Sequence, residues 1–325
     1  MTNGTNTELL QSSPAELARA ADALRAGELV AFPTETVYGL GADALNQAAV
    51  AKVFAAKGRP QDHPLIVHLA DADELTRWTS ASGLVLKRAR LLAGRFWPGP
   101  LTLVLPRSGQ VLDSVTGGQD TVALRCPAHP LALGLLKESG LALVAPSANR
   151  FGRISPTTAD HVLQELDGRV RFVLDGGPSE VGLESTIVDV SAQTVRVLRP
   201  GAVLPQEIAA VLEEPVSGPG IAGPDAPRVS GSLASHYAPV TPTHLAAAEA
   251  LAEFGEGSGV IARGPAPEGF AGSWLQLPAD PAGFGRGLYA ALRQLDGTVD
   301  VIVVQEPPEG AAWDAVRDRL RRASA

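Results

Sequence analysis

Apolar residues in the first two hundred positions follow two alternating patterns, one recurring every three to four residues and one forming short unbroken runs. The first pattern predicts a helix after Ser13, whose hydroxyl can cap it and for which Glu16 completes a capping box. Leu17, Ala21 and Leu24 give that helix one apolar stripe. The second pattern predicts buried strands, of which "ELVAFP" is the first.

The same alternation continues and predicts the architecture of the first part of the chain. Further strands are predicted at "LIVHL", "LTLVL", "TVALR", "LALVAP", "VRFVLD", "STIVDV" and "VRVLRP". Further helices are predicted at residues 46–57, 84–96, 130–139 and 158–166, with another opened by Asp71. Strands that alternate with helices favour an α/β fold, here with a large mixed sheet.

Both periodic patterns stop between Glu213 and Pro239, where Pro, Gly and Ser dominate. We therefore predict a large domain at 1–213, a linker at 214–239 and a smaller α/β domain at 240–325. The smaller domain should contain an Ala-rich helix at 244–254, strands "GVIA", "WLQLP" and "VDVIVVQ", a helix at 284–295 and a last helix that carries Trp313.

Composition and charge exclude several classes of function. The formal net charge is -8, which argues against a protein that mainly grips a phosphate backbone. The chain has one cysteine, Cys126, so it has neither an internal disulfide nor a cysteine-based metal cluster, and its six histidines lack metal-ligand spacing. Because no apolar run approaches the roughly 20 residues of a membrane span and the N-terminus lacks a signal-peptide pattern, we expect a cytoplasmic protein.

Polar side chains collect where the predicted strands end, which is where an open α/β sheet usually binds ligands. "PTETVYG" follows the first strand, and Lys57 and Arg59 flank a glycine in "KGRP". These two cations suit a polyphosphate, although basic residues also favour the negative end of a helix dipole. His68 lies within "LIVHL", where it either satisfies a buried hydrogen bond or faces the site.

Other motifs give weaker signals. No P-loop pattern occurs, and "GFGRG" at 283–287 is interpreted as a loop that starts a helix. "KRARLLAGR" at 87–95 places basic residues on one helix face, which is either solvated or a nucleic-acid surface.

Eight motifs in order resemble a known family: "PTETVYGLG", "KGRPQDHPLIVHL", "FWPGPLTLVL", "VALRCPAHP", "APSANRFGRISPT", "DGG", "GLESTIVDV" and "VLRPG". With the trailing "ASHYAP", they are similar to the long, two-domain form of the threonylcarbamoyl-AMP synthases. The resemblance implies a YrdC-like large domain, with a twisted mixed sheet and a concave basic cavity, and a smaller Rossmann-like α/β C-terminal domain. It also implies a nucleotidyltransferase that makes L-threonylcarbamoyladenylate and pyrophosphate from L-threonine, bicarbonate and ATP.

The resemblance assigns site residues to these substrates. Those implied for L-threonine are Thr34, Thr36, His68, Arg125 and Ser185. Those implied for ATP are Lys57, Arg59, His63, Thr121, Ala145, Ser147, Asn149, Ser155, Arg199 and Tyr237. Lys57 and Arg59 are implied to be catalytic. The family commonly has asparagine where this chain has His63, and Glu35 is either a general base or a residue that fixes its loop.

The resemblance also implies partners. Mg²⁺ would be held largely by the phosphates of ATP, and the linker, through His236 and Tyr237, would lie over the site as a lid. The product would pass to a complex that modifies an adenosine beside the tRNA anticodon, with at most a weak tRNA contact. Two alternatives are a double-stranded RNA or tRNA binding module and a carbamoyl-transfer enzyme with another acceptor. The acidic balance weighs against the first, and zinc-binding and acylphosphatase segments would be expected for the second.

Overall fold

The computed structural model describes residues 6–218, 226–231 and 237–325. Within these residues the strands form two sheets, one of eleven strands and one of four. The strands of the first sheet are β1 Glu8–Leu10, β2 Val30–Phe32, β3 Gly39–Asp43, β4 Ile66–His68, β5 Leu101–Pro106, β6 Thr121–Arg125, β7 Leu143–Val144, β8 Phe172–Leu174, β9 Thr186–Asp189, β10 Val195–Arg199 and β11 Val216–Ser217. Those of the second are β12 Thr243–Ala246, β13 Ser258–Ala262, β14 Ser273–Gln276 and β15 Val301–Gln305.

Helices pack around both sheets. They are α1 Pro14–Arg25, α2 Gln47–Lys57, α3 Leu75–Trp78, α4 Gly83–Phe96, α5 Asp113–Thr116, α6 Pro130–Ser139, α7 Ala159–Leu166, α8 Pro205–Leu212, α9 Pro281–Leu295 and α10 Asp314–Ala323. Short 3-10 helices span Ala72–Glu74, Ala248–Glu253 and Ala311–Trp313. The alternation predicted for the large domain is therefore confirmed.

The large sheet is mixed, as the pattern predicted. Its order is β1-β8-β2-β3-β7-β4-β6-β5-β9-β10-β11. Strand β4 pairs with β6 in parallel, while β3, β7 and β5 run antiparallel to their neighbours β2, β4 and β6. The strands contribute to two buried clusters, one containing Val53, Trp78 and Leu103 and the other containing Phe32, Leu135 and Leu143.

Side chains and a glycine cap the ends of the first helices. The Asn46 side chain accepts hydrogen bonds from the first turn of α2, and Gly58, with φ of 63°, ends that helix in the left-handed region. The Ser13 hydroxyl accepts from the backbone N–H of Glu16, but the Glu16 carboxylate binds the backbone N–H of Gln11 and not that of Ser13. The predicted capping box is therefore only half formed.

Several elements of the large domain escaped prediction because they are short or rich in glycine. Strand β3 has the sequence "GLGAD", which lacks the β-branched residues that mark a strand. Strand β1, helices α5 and α8 and the two-residue strand β11 were also missed. Strand β11 lies inside the predicted linker and pairs with β10, so the sheet continues beyond residue 213.

The small domain has a parallel sheet of order β12-β15-β13-β14, with α9 and α10 packed on it. This agrees with the expected Rossmann-like unit. The helix predicted at 244–254 is wrong, since His244 lies in β12 and a 3-10 helix covers Ala248–Glu253. Pairing with β15 overrides the helical propensity of the alanines. The interpretation of "GFGRG" as a loop is also wrong, because these residues lie within α9.

The two domains share buried surface. Leu183 and Ile154 from the large domain belong to the same apolar cluster as Phe284 and Leu288 of α9. Polar contacts also join them, among them a hydrogen bond from the Arg286 Nε to the Glu180 carbonyl at 2.6 Å. The small domain therefore closes one side of the large one.

Candidate functional site

Strand pairing brings together residues that were predicted to bind L-threonine. In the parallel pair β4 and β6, His68 and Arg125 are register partners at the ends of their strands. They line a cavity of about 390 Å³ together with Thr36, Ser185 and Arg199.

The "PTET" loop is organised by one hydroxyl. Thr34 Oγ1 donates to the carbonyl of Val37 at 2.6 Å and accepts the backbone N–H groups of Thr36 and Val37 at 3.2 and 3.3 Å. It also lies 2.8 Å from Thr36 Oγ1. Thr34 therefore fixes the loop, while Thr36 contributes to the cavity wall.

Arg125 connects this loop to the sheet through a buried ion pair. Its Nη1 donates to Thr36 Oγ1 at 2.8 Å, its Nη2 donates to Glu35 Oε1 at 2.6 Å, and its Nε donates to the Gly99 carbonyl at 3.3 Å. The second carboxylate oxygen of Glu35, Oε2, is buried and has no hydrogen-bond partner among the described residues. One oxygen of Glu35 thus holds Arg125, and the other is an acceptor still to be satisfied.

His68 is uncharged at neutral pH. Burial, helped by the nearby charge of Arg125, lowers the pKa of its imidazole to about 3. Its Nδ1 lies 3.3 Å from the carbonyl of Ile66. Because a carbonyl can only accept, this contact requires the proton on Nδ1, which leaves Nε2 as an acceptor.

Ser185 is held on the opposite wall. Its hydroxyl lies 2.7 Å from Thr102 Oγ1 and accepts from the Nη2 of Arg199 at 3.1 Å. Arg199 also donates to the Ser185 carbonyl at 2.9 Å and to the Ser230 carbonyl at 2.9 Å. Thr102 was not predicted to be a site residue, although it lies within the quoted motif "FWPGPLTLVL".

Lys57, the last residue of α2, and Arg59, which follows the C-cap glycine, are both buried. The Lys57 ammonium donates to the carbonyls of Ser147 and Asn149, and burial lowers its pKa well below the usual value. Arg59 donates to the Pro64 carbonyl at 3.0 Å and packs over Phe151, and burial lowers its pKa to about 10. The buried Nε of Arg59 has no partner within the described part of the chain.

The loop that follows β7 carries four of the predicted nucleotide residues. Ala145 and Ser147 line the cavity, and the backbone N–H of Ala145 donates to the Ile66 carbonyl at 3.1 Å. The Asn149 amide donates to the carbonyls of Arg150 and Arg153, while its buried Oδ1 lacks a partner in the residues described. Ser155 donates to Glu184 Oε1 at 2.6 Å.

Six predicted nucleotide residues do not line this cavity, namely Lys57, Arg59, His63, Thr121, Asn149 and Ser155. Thr121 lines an adjoining cavity of about 260 Å³ together with Arg228, Val229 and Ser230 of the linker. His63 packs edge-on against Phe151, with ring centroids 5.4 Å apart. Burial and then the charge of Arg59 lower the pKa of His63.

The described part of the linker covers the site. Tyr237 lines the 390 Å³ cavity, is buried and has a φ of 62°, which is uncommon for a residue other than glycine. Its hydroxyl lies close to Gly231, where an added Cβ would meet it at 2.0 Å. The other residue of the predicted lid, His236, lies outside the described residues.

Glu184 is a wall residue that the sequence did not single out. Burial alone would raise its pKa, but the positive charges of Arg319 and Arg199 lower it to about 2, so it is ionised. In the motif "GLEST" the sequence indicated only a hydroxyl residue as part of the site, because a carboxylate is not an expected partner of anionic substrates.

Two general features of the described residues bear on the class of function. They contain no cluster of three or more His, Cys, Asp or Glu able to hold a metal ion, and no helix among them is long and apolar enough to cross a membrane. On α4, Arg88 is buried in an ion pair with Glu214, while Lys87, Arg90 and Arg95 are exposed. The basic face is thus narrower than the sequence indicated.

Comparisons with known proteins cover nearly the whole chain. Residues 22–201 match a family model described as telomere recombination. Residues 203–325 match one described as threonylcarbamoyl-AMP synthase, C-terminal domain. The threonylcarbamoyl-AMP synthase of Bacillus subtilis is 40% identical over 98% of this chain and 95% of its own. That of Pyrococcus abyssi is 41% identical over 94% of this chain and 93% of its own.

A solved structure agrees with these sequence matches. Sua5 of P. abyssi, in complex with L-threonine, is 39% identical and superposes with a TM-score of 0.89, and the alignment covers 98% of each chain. Both domains are therefore similar to those of one relative.

Proposed function

The chain belongs to the threonylcarbamoyl-AMP synthase family, and we propose that the cavity between its β4–β6 edge and its linker is the place where that family's reaction occurs. The protein synthesises L-threonylcarbamoyladenylate from L-threonine, bicarbonate and ATP, the first step toward N6-threonylcarbamoyladenosine in tRNA. The observation that carries the assignment is the convergence of Arg125, His68 and Ser185 on one cavity.

L-threonine binds at the β4–β6 edge. Its carboxylate pairs with Arg125, whose guanidinium is rigidly held by Thr36 and Glu35. Its ammonium has two acceptors at hand, the Nε2 of neutral His68 and the unsatisfied Oε2 of Glu35. The Ser185 hydroxyl, fixed by Arg199, serves the polar end of the side chain.

ATP binds along the loop that follows β7 and under the linker. Lys57 and Arg59 face the phosphates, with Arg199 near the reacting end. Ser147, Asn149 and Ser155 supply hydroxyl and amide groups, and the unpartnered Oδ1 of Asn149 is an acceptor for a nucleotide donor. The backbone of Ala145 contributes beside them. Thr121, His63 and Tyr237 border the outer part of the nucleotide, where the described linker residues form a cover.

The reaction needs no covalent enzyme intermediate. The threonine amine attacks bicarbonate, and loss of water gives a carbamate. A carbamate oxygen then attacks the α-phosphorus of ATP, and pyrophosphate leaves with the electron pair of the broken P–O bond. Catalysis rests on positioning and on cations that neutralise charge on the phosphates, here Lys57, Arg59 and Arg199. The enzyme is accordingly a nucleotidyltransferase.

Mg²⁺ enters as part of the ATP substrate, held mainly by phosphate oxygens, which is a usual arrangement for this ion. The labile product is handed to a complex that transfers the threonylcarbamoyl group to tRNA, and any direct tRNA contact of this chain is weak. We place this reaction in the cytoplasm.

Product analysis tests the proposal. Purified protein should release pyrophosphate from ATP only when L-threonine, bicarbonate and Mg²⁺ are all present, and label from bicarbonate should appear in an adduct of AMP. Omission of each component in turn is the control. Pyrophosphate release that does not depend on threonine would contradict the assignment and would favour a carbamoyl-transfer enzyme with another acceptor.

A further inference from the structure

One carboxylate of the cavity wall is held from the small domain. Glu184 lines the cavity and is buried, with 6% of its surface exposed. Its Oε1 accepts from Ser155 at 2.6 Å, and its Oε2 accepts from the Tyr289 hydroxyl at 3.1 Å and from the Arg319 Nε at 2.7 Å. Two of these three donors come from helices α9 and α10.

Arg319 also reaches a second residue of the wall. It is 1% exposed, and its guanidinium carbon lies 5.3 Å from the centre of the Tyr237 ring. The ring of Tyr289 also stacks on that ring, with centroids 5.9 Å apart and an angle of 28° between the planes. The Nη1 of Arg319 donates to Asp318 Oδ2 at 2.8 Å, which fixes the guanidinium against its own helix.

Stability alone explains this arrangement poorly. A buried ion pair is often no more stabilising than apolar residues of similar volume, because both charges lose their hydration. Arg319 is fully buried and bridges Glu184 of the large domain with Tyr237 of the linker, both of which line the cavity. Such a bridge fixes geometry, because the planar guanidinium can satisfy several partners in one orientation only.

We propose that Arg319 is a positioning residue for the reaction: through Glu184 and Tyr237 it holds the wall on which Ser155 and Ser185 meet the substrates. Ser155 donates directly to Glu184, and Ser185 follows it in the chain. The assignment rests on the function proposed above. It makes the end of the small domain part of the active-site framework.

Removal of the Arg319 charge should change how activity depends on pH. The Glu184 carboxylate is faced by Arg319 from α10, Tyr289 from α9, Arg199 from β10 and Tyr237 from the linker. Ser155 of the large domain donates a hydrogen bond to it. Burial raises the pKa of the Glu184 carboxyl, and the charges of Arg319 and Arg199 lower it. Without Arg319, only Arg199 of these two cations remains, so this pKa rises. Protonation then removes the negative charge that strengthens the hydrogen bond from Ser155, and activity should fall at acidic pH where the wild type is still active.

The test compares Arg319→Met with Arg317→Met. Arg317 lies on the same helix but pairs at the surface with Glu309 and Asp314, so it controls for the substitution itself. We expect Arg319→Met to lower kcat/KM for ATP roughly tenfold or more, the range for loss of a charge-assisted hydrogen bond. It should also add an acidic inflection to the pH profile, and Arg319→Lys should recover part of the activity. Arg317→Met should match the wild type.

A second variant keeps the proposal testable if Arg319→Met does not fold. The double variant Arg319→Met/Glu184→Gln removes both charges of this buried ion pair and should unfold near the wild-type temperature, yet remain about as inactive as expected for Arg319→Met. Full kcat/KM in the folded double variant, or an unchanged pH profile in folded Arg319→Met, would overturn the positioning role. Failure of the proposed function is distinguishable, because the wild type itself would then release no threonine-dependent pyrophosphate.

Discussion

Replacement of Arg125 by methionine separates its structural role from its role toward threonine. In the protein the Arg125 and Glu35 side chains are 5% and 7% exposed and their atoms lie 2.6 Å apart. Removing one partner of a buried ion pair leaves the other charge uncompensated, at a cost of about 3 to 5 kcal/mol. We therefore expect Arg125→Met to fold with a free energy of unfolding lower by about that amount, measured by urea denaturation.

The double variant Arg125→Met/Glu35→Gln should regain most of this stability, because no buried charge is left unpaired. It should nevertheless use threonine poorly. A charge-assisted hydrogen bond contributes about 1.5 to 3 kcal/mol, so the KM for threonine should rise roughly tenfold to hundredfold, with little change in the KM for ATP. Steady-state pyrophosphate release measured against each substrate gives both constants.

The control is Arg107→Met, which removes an arginine from an ion pair with exposed Asp113. Surface pairs contribute about 0 to 1 kcal/mol, so this variant should resemble the wild type in stability and in both KM values. A lost charge-assisted hydrogen bond should raise the KM for threonine by far more than about twofold. A double variant at Arg125 and Glu35 would therefore refute the carboxylate assignment if it kept its threonine KM within about twofold of the wild type.

Two further predictions concern the nucleotide site and the acid stability of the fold. Lys57→Met and Arg59→Met should each lower kcat/KM for ATP by roughly tenfold to hundredfold, as expected for lost charge-assisted contacts to phosphate, and near-normal turnover in a folded double variant would contradict their role. His68 has a folded pKa of about 3, below its unfolded value of 6.5, so its contribution to stability is complete above pH 6.5 and is lost as the pH falls. Between pH 6.5 and 5 this loss amounts to at most about 2 kcal/mol. In urea titrations over that range, His68→Asn should therefore lose less stability than the wild type. Equal losses in the two proteins would show that His68 does not titrate as described.

Local patterns predicted the α/β architecture because helix caps and apolar periods are written within a few residues of each other. The segments 46–57 and 130–139 agree with α2 and α6 to within one residue. Non-local pairing could not be predicted in this way. The pairing of β4 with β6, which makes His68 and Arg125 neighbours, joins segments more than fifty residues apart, and no period in the chain encodes it.

The failures have the same physical origin. The alanines near His244 favour a helix, yet residues 243–246 form an edge strand in a parallel ladder with β15. Arg319 lies in the run "DRLRRASA", which is typical of a solvated basic helix end. Its burial follows from the docking of the small domain, so its contact with Glu184 becomes visible only when both domains are folded together.

The charges around the cavity indicate which ligand chemistry each side fits. Arg125 is neutralised by Glu35, so its side suits a zwitterion such as an amino acid, which brings a carboxylate and an ammonium together. Lys57 and Arg59 are held by backbone carbonyls, which orient a cation without cancelling its charge. Burial lowers the pKa of both groups, and a polyphosphate close to them would offset that loss of hydration. A strongly anionic ligand on this side and a zwitterion on the other is the combination that leaves the fewest charges unpaired.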